Sequence, residues 1–486
     1  MSVAPKRPAE VDRGPFMERL FDFVPEETSY RAEGVQGELP AWLRGTYYVN
    51  GPARFRRGSL DYGHWLDGDG MVGALRFAGD GTVEVAQRFV RSHKLTEEEA
   101  VGEAVYRTFG TGFDGDRLLR GIALASPVNV SVYPFAGRLL AFGEQGLPWE
   151  LDRVTLETVE EHTFGGRLNV VSPFSAHPGF DREADGGTGA MVSFGISFAA
   201  DRPTVNLYSF APDGALRSRH RAPLPYPASL HDFGLTPRFA VFYVNPHLLD
   251  MRPLMEEGAT VMDCLSWRPE LGSSLLVLDR ETAREVARVP VGEGYCLHHA
   301  HAFEEGERLV VDVLELEEPA YPDYRPVPDL FAKVAPAHPV RYEVDLAAGD
   351  LAGRREIPHD LAADFPAVDP RRTAAPTDRF WMLAISATGA PGRKFFDRLA
   401  AADFREGAVV DAWQAPENRY LGGEPVFLPE PGRDRAGLVV VQEHDARERR
   451  TDYLLFDASA LAAGPVARIP LRHALMPGFH ACWAPA

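Results

Sequence analysis

The chain is poor in cysteine. Its 486 residues include only Cys264, Cys296 and Cys482, set far apart. They form neither a disulfide framework nor a thiolate metal pattern, and a reducing cytoplasm is the simplest location. Long apolar runs are also missing. No stretch of about 18 apolar residues occurs, so no helix is expected to span a membrane, and Met1 to Pro15 holds no apolar core of the signal-peptide kind. Positive charge is in deficit. The 51 Lys and Arg face 70 Asp and Glu, and the net charge of −19 disfavours nucleic acid as a partner. Helical periodicity is scarce, with three candidate stretches at 15–23, 246–264 and 395–404.

Short apolar runs separated by turns dominate what is present. The 45 Gly and 40 Pro fit a chain with many turns. Two runs meet at Gly79-Asp80-Gly81, two at Ala136-Gly137-Arg138 and two at Pro212-Asp213-Gly214. Similar pairs lie at 275–291, 340–357 and 437–469. Many hairpins and few helices predict an all-β sandwich, barrel or propeller. No low-complexity linker divides the chain. It reads as one β domain over 37–486, preceded by an N-terminal extension, 1–36, with a short helix. Gly110-Thr111-Gly112-Phe113-Asp114-Gly115 spells a dinucleotide fingerprint but lacks its strand, helix and distal acid, so it reads as a plain loop. Asp67-Gly68-Asp69-Gly70 lacks the later ligands of a calcium loop and reads as a tight turn.

Of the 15 histidines, His93, His162, His220, His338, His359, His444 and His473 lie in polar stretches and read as surface residues. Four others border apolar strand-like runs: His177, His231, His298 and His480. Two carboxylates, Asp364 and Glu424, sit in similar settings. The series 177, 231, 298, 364, 424 and 480 has gaps of 54, 67, 66, 60 and 56 residues. Seven propeller blades would take about 69 residues each. A residue at the same place in successive blades converges on the propeller axis. Imidazoles without thiolates suit iron, copper, nickel or zinc, and structural zinc would normally use locally spaced cysteines. A ligating histidine usually donates its second ring N–H to a carboxylate or carbonyl, a role open to Asp364, Glu424 and Glu144.

At these residues, and in Leu43-Arg44-Gly45-Thr46-Tyr47-Tyr48-Val49-Asn50-Gly51-Pro52, His64-Trp65-Leu66-Asp67-Gly68-Asp69-Gly70, Glu424-Pro425-Val426-Phe427 and Gly478-Phe479-His480, the chain resembles the carotenoid cleavage oxygenase family. The resemblance runs from about Gly37 to Trp483. It implies a seven-bladed β-propeller with a dome of helices and loops over an axial Fe(II). His177, His231, His298 and His480 would be the ligands, with His298 preferred to His299 or His301. Glu144 would pair with His231, Asp364 with His298 and Glu424 with His480, leaving His177 without a carboxylate.

Three departures from the family pattern stand out. Asp364 replaces a usual Glu and is one methylene shorter, which implies a bridging water or a loop drawn inward. Val130 stands where many members have Thr near the open coordination position. Gly143 replaces a Lys that, in the stilbene-cleaving branch, would bind a phenol. The implied reaction inserts O2 across one C=C bond of a carotenoid or apocarotenoid, a small apolar polyene, to give two carbonyl products. Cleavage of stilbene-type alkenes and retinoid isomerisation are the alternatives. Val130, Phe174, Phe233 and Phe303 are expected to line the substrate tunnel. Two apolar stretches, Phe16 to Val24 and Leu248 to Met255, carry a second reading as a lip touching a membrane surface; packing onto the propeller is favoured for the first.

Overall fold

The computed structural model describes residues 16–169, 171–182, 188–198, 202–325, 330–331, 334, 336–386 and 395–486. Strands dominate, and almost all pair antiparallel with their sequence neighbours. The turns fall where Gly and its neighbours predict them. Ser131–Phe135 and Arg138–Phe142 join through Ala136 and Gly137, both at positive φ (50° and 78°), the backbone a two-residue hairpin of matching twist requires. Gly70–Ala78 and Val83–Phe89 form the next hairpin upstream, and Thr204–Phe210 and Leu216–Pro223 another.

Among the described residues, six sheets have four or more strands. The largest is antiparallel throughout except at one parallel pair, Ala337 with Ala362, where its two halves meet. The first sheet is closed by the far end of the chain: Ala481–Pro485 pairs with Arg44–Pro52. Thr28–Arg31 edges that same sheet and Gln36–Gly37 edges the sheet of Ala467–Pro470. Apolar side chains fill the space between sheets, as with Val192, Phe194, Leu207, Phe242 and Leu276, none more than 2% exposed. No helix of the described residues is long and apolar enough to cross a membrane.

The helical expectations met mixed outcomes. The stretch 15–23 holds a single 3-10 turn, Met17–Leu20. The stretch 246–264 begins with a strand and then forms two short helices, Met251–Glu256 and Val261–Cys264. The stretch 395–404 is corrected: Arg398–Asp403 is a strand between Arg379–Ile385 and Ala408–Gln414. Leu399, Ala400, Ala401 and Ala402 are all buried, because both faces of the strand are covered, and continuous burial hides the period of two. One helix was missed. His93–Val101 starts at Ser92, whose hydroxyl accepts from Leu95 N–H, and stops at Gly102 with φ 78°. Both signals were present in the sequence.

Several other readings resolve here. Asp67 accepts from Gly110 N–H and Thr111 Oγ1, so the glycine-rich loop clasps a buried carboxylate rather than a phosphate. Asp69 is held by Arg57 (2.6 Å) and Lys94 (2.8 Å). Instead of a bare tight turn, the segment forms a 3-10 turn, Trp65–Asp67, leading into a strand at Gly70. His444 is corrected from the surface to the interior. It is 1% exposed and meets Thr451 Oγ1 at 3.2 Å, because its strand Gly437–Asp445 is covered on both faces. In the two apolar stretches, Met17, Leu20, Phe21, Leu249 and Leu254 are buried, while Val24 and Met255 are the large apolar side chains left exposed.

Candidate metal centre

The four histidines lie where strands begin or their ladders break. His177 precedes strand Gly179–Arg182, His231 precedes Gly234–Leu235, and His480 precedes Ala481–Pro485. His298 lies inside Tyr295–Glu305, at a register shift between Cys296 and His299. The carboxylates follow the same rule. Register shifts occupy Asp364–Ala367 and Gly422–Val426. Such irregularities re-aim a side chain that a regular ladder would bury against its neighbour.

Backbone bonds tie these breaks together. Asn50, fully buried, receives the Phe479 N–H on its carbonyl and donates its own N–H to the His480 carbonyl; its side-chain amide donates to the Val128 and Ser131 carbonyls. His480 N–H reaches the Val130 carbonyl, and Ser175 Oγ the His231 carbonyl. The contact requires glycine at 478, where a Cβ would lie 2.6 Å from Val49 Cγ2.

One nitrogen or more from each of His177, His231, His298 and His480 comes within 4.8 Å of its counterparts, and all four residues are buried. His299 and His301 point elsewhere. His299 Nδ1 is 3.7 Å from Asp232, and His301 Nε2 donates to or is shared with the Ala375 carbonyl at 2.8 Å. The outer carboxylates take the expected places. A Glu144 oxygen is 2.9 Å from His231 Nδ1, close but out of line for a well-formed hydrogen bond. Glu424 is 3.2 Å from His480 Nδ1. Asp364 Oδ1 meets His298 Nδ1 directly at 2.5 Å, so the shorter side chain needs no bridging water. Phe365, next along, has φ 52°, a left-handed conformation costing about 1–3 kcal/mol for a residue with a side chain. The Phe365 N–H donates to the same Asp364 oxygen at 2.8 Å. His177 has no hydrogen-bonded carboxylate. Asp232 lies 3.9 Å from its Nδ1 and is engaged by the Phe233 and His299 N–H groups.

Electrostatics match this arrangement. Burial, then the neighbouring imidazoles, holds His177 and His480 well below the ordinary histidine range. Burial would also lower His231, but Glu144 outweighs it and raises the group. Burial pushes Glu424 up to about 8. Burial would raise Asp364 too, yet the adjacent His298 brings it below the usual carboxylate value. The Nε2 atoms of His177 and His298 are buried with no hydrogen-bond partner. Leaving such atoms unpaired is costly, and a metal ion held by these histidines would satisfy them. The donor set therefore fits a first-row transition metal.

A cavity of about 260 Å³ reaches His177, His298, His480 and Glu424 and is lined also by Tyr133 and Phe233. On the other side aromatic rings close over the histidines. Phe365 lies 5.5 and 5.2 Å, ring to ring, from His298 and His480, and Tyr321 lies 6.4 Å from His231. Sequence reasoning missed both, since nothing marks them among 29 Phe and 15 Tyr. Of the expected tunnel residues, Val130 is buried and its carbonyl holds His480 N–H. Phe174 packs with Phe142, Phe164 and Tyr208. Phe233 packs on Phe194 and Phe242 while edging the cavity. Phe303 packs under the Arg341 guanidinium.

A strand-built scaffold gathers four buried imidazoles with outer carboxylates behind them, a donor set that could hold one metal ion. The sequence profile described as retinal pigment epithelial membrane protein (RPE65) matches residues 21–485, and the chain belongs to this RPE65/carotenoid oxygenase family. It is 30% identical over 483 residues to the apocarotenoid-15,15'-oxygenase of Synechocystis, covering 96% of this chain and 95% of that one. It is 28% identical to the isoeugenol monooxygenase of Pseudomonas nitroreducens, over 93% and 94% of the two chains. The crystal structure of cobalt-substituted Synechocystis ACO superposes with a TM-score of 0.88 at 28% identity, covering 98% of this chain and 100% of that one. These relatives are named as oxygenases, and membership places this chain among the oxygenases.

Proposed function

We propose that this protein is an Fe(II)-dependent dioxygenase that cleaves one C=C bond of a carotenoid or apocarotenoid into two carbonyl products. The observation that carries the reading is the four-imidazole cluster with three carboxylates set behind three of its rings. Iron(II), when held by His177, His231, His298 and His480, supplies the activation of O2 that the cleavage needs. The chain's own residues do the rest. Glu144, Asp364 and Glu424 face the Nδ1 atoms, which fixes the ring orientations and leaves the Nε2 lone pairs facing the centre. Phe365 and Tyr321 keep water from the cluster, and their apolar faces suit a polyene. Val130 brings no hydroxyl to the neighbourhood of His480.

The seven-bladed architecture belongs to the same proposal. Divided at its single parallel link, the largest sheet gives two units, and five other large sheets accompany them among the described residues. An apocarotenoid is favoured over a stilbene by position 143. A Cβ on Gly143 would meet Ser126 Oγ at 2.1 Å and the Val128 backbone at 3.1 Å, so a phenol-binding lysine has no room there. The test is incubation of iron-loaded protein under 18O2 with β-carotene, apocarotenals of several lengths, isoeugenol and resveratrol. The expected result is 18O-labelled retinal or shorter apocarotenals. Labelled aryl aldehydes alone would overturn the substrate assignment, and no cleavage of any of them would overturn the oxygenase reading for these alkenes.

A further inference from the structure

The carboxylate behind His298 is itself held by a residue that nothing above has assigned. Asp364 Oδ1 is taken by His298 and by the Phe365 N–H. Its other oxygen, Oδ2, accepts from the Tyr324 hydroxyl at 3.2 Å. Asp364 lies at a break in its ladder, so the ladder gives its side chain no regular support. Tyr324 supplies that support from a different part of the fold. It ends the 3-10 turn Tyr321–Tyr324, 40 residues before Asp364 in the chain.

The turn is fixed at both ends. His64 Nε2 meets the Tyr321 carbonyl at 3.1 Å. The Tyr324 ring is wedged edge-on against Trp65 (5.3 Å) and Phe331 (5.6 Å). The phenol is buried and protonated, raised by burial and by Asp364 beside it, so it is a donor at neutral pH. We propose that Tyr324 is a positioning residue for the metal centre. Its hydroxyl fixes the plane of the Asp364 carboxylate, so that Oδ1 points at His298 Nδ1 and the His298 Nε2 lone pair faces the other three imidazoles. The chain of contacts runs Tyr324–Asp364–His298, and Tyr324 is neither a member of the four-imidazole cluster nor a lining residue of the cavity that reaches it.

This rests on the metal reading above, and the test separates the two. Tyr324→Phe keeps the ring and removes only the hydroxyl. Metal-free full-length protein is titrated with Co(II) alone, following the visible bands and the dissociation constant, and the melting temperature of the metal-free form is recorded. The expected result is a dissociation constant raised about tenfold, in line with the loss of an outer partner. The cobalt bands shift and the metal-free melting temperature does not move. In an Asp364→Ala background, Tyr324→Phe adds no further loss. Unchanged affinity and bands in Tyr324→Phe would overturn the proposal, as would the same tenfold loss when Asp364 is absent. A matching fall in metal-free melting would reassign Tyr324 to a structural role and also overturn it. Wild-type protein that takes up no Co(II) would overturn the metal reading itself.

Discussion

At the scale of single residues, the site works by assigning each ring nitrogen a partner. Three of the four histidines face a carboxylate at Nδ1, and the Nε2 atoms of His177 and His298 are left buried without one. Glu424→Gln and Asp364→Asn keep size and replace one carboxyl oxygen with an amide nitrogen that cannot accept from the histidine. Each is expected to weaken metal binding about 10–100-fold while leaving the fold intact, read by competition with a chelator and by circular dichroism. Affinity within twofold of wild type in both variants would remove the carboxylates from the account. The histidines were legible in the sequence through their spacing and the family motifs around them, since a histidine bordering an apolar run is by itself more often a hydrogen-bonded core residue. Phe365, Tyr321 and Tyr324 were not legible, since an aromatic residue in an apolar stretch is what any core requires. Phe365 shows the limit well. Its role depends on a positive φ that no residue type other than glycine would announce.

Among the elements, helix His93–Val101 shows how a charged group can anchor structure away from the site. Lys94 is fully buried and reaches Asp69 at 2.8 Å and Glu98 at 3.0 Å. Burial alone would lower its pKa, but Asp69, Tyr62 and Glu98 raise it well above the usual lysine value. A raised pKa in the folded state means that its contribution is complete below about pH 10.4, the unfolded value, and is lost as pH climbs through the folded one. Lys94→Ala leaves the buried Asp69 and Glu98 carboxylates with Arg57 as the cation beside them, and a loss of about 3–5 kcal/mol is expected, measured by urea unfolding at pH 7. Wild type is also expected to lose stability more steeply than the variant above pH 10.4. Equal stability of the two at pH 7 would contradict this. The hairpins were readable from turn residues at 79–81, 136–138 and 212–214. The strand Arg398–Asp403 was not, because burial of both faces erased the alternation that distinguishes strand from helix.

For the whole molecule, the two ends of the strand order meet in one sheet. Ala481–Pro485 pairs with Arg44–Pro52, and the residue just before that last strand is His480. The four imidazoles come from segments that span residues 177 to 480, so one ion held there would link segments far apart in the chain. The even spacing of the metal-competent residues in the sequence expressed this arrangement in one dimension. The family resemblance preferred His298 within His298-His299-Ala300-His301, and the structure places it in the cluster at a ladder irregularity. The most direct test of the four-histidine centre is metal analysis of protein purified without oxygen, with His177, His231, His298 and His480 each replaced by Ala and His301 by Gln. About one iron per chain is expected in wild type and in His301→Gln, and background iron in the other four. Full iron in any of those four, or its loss in His301→Gln alone, would contradict the assignment.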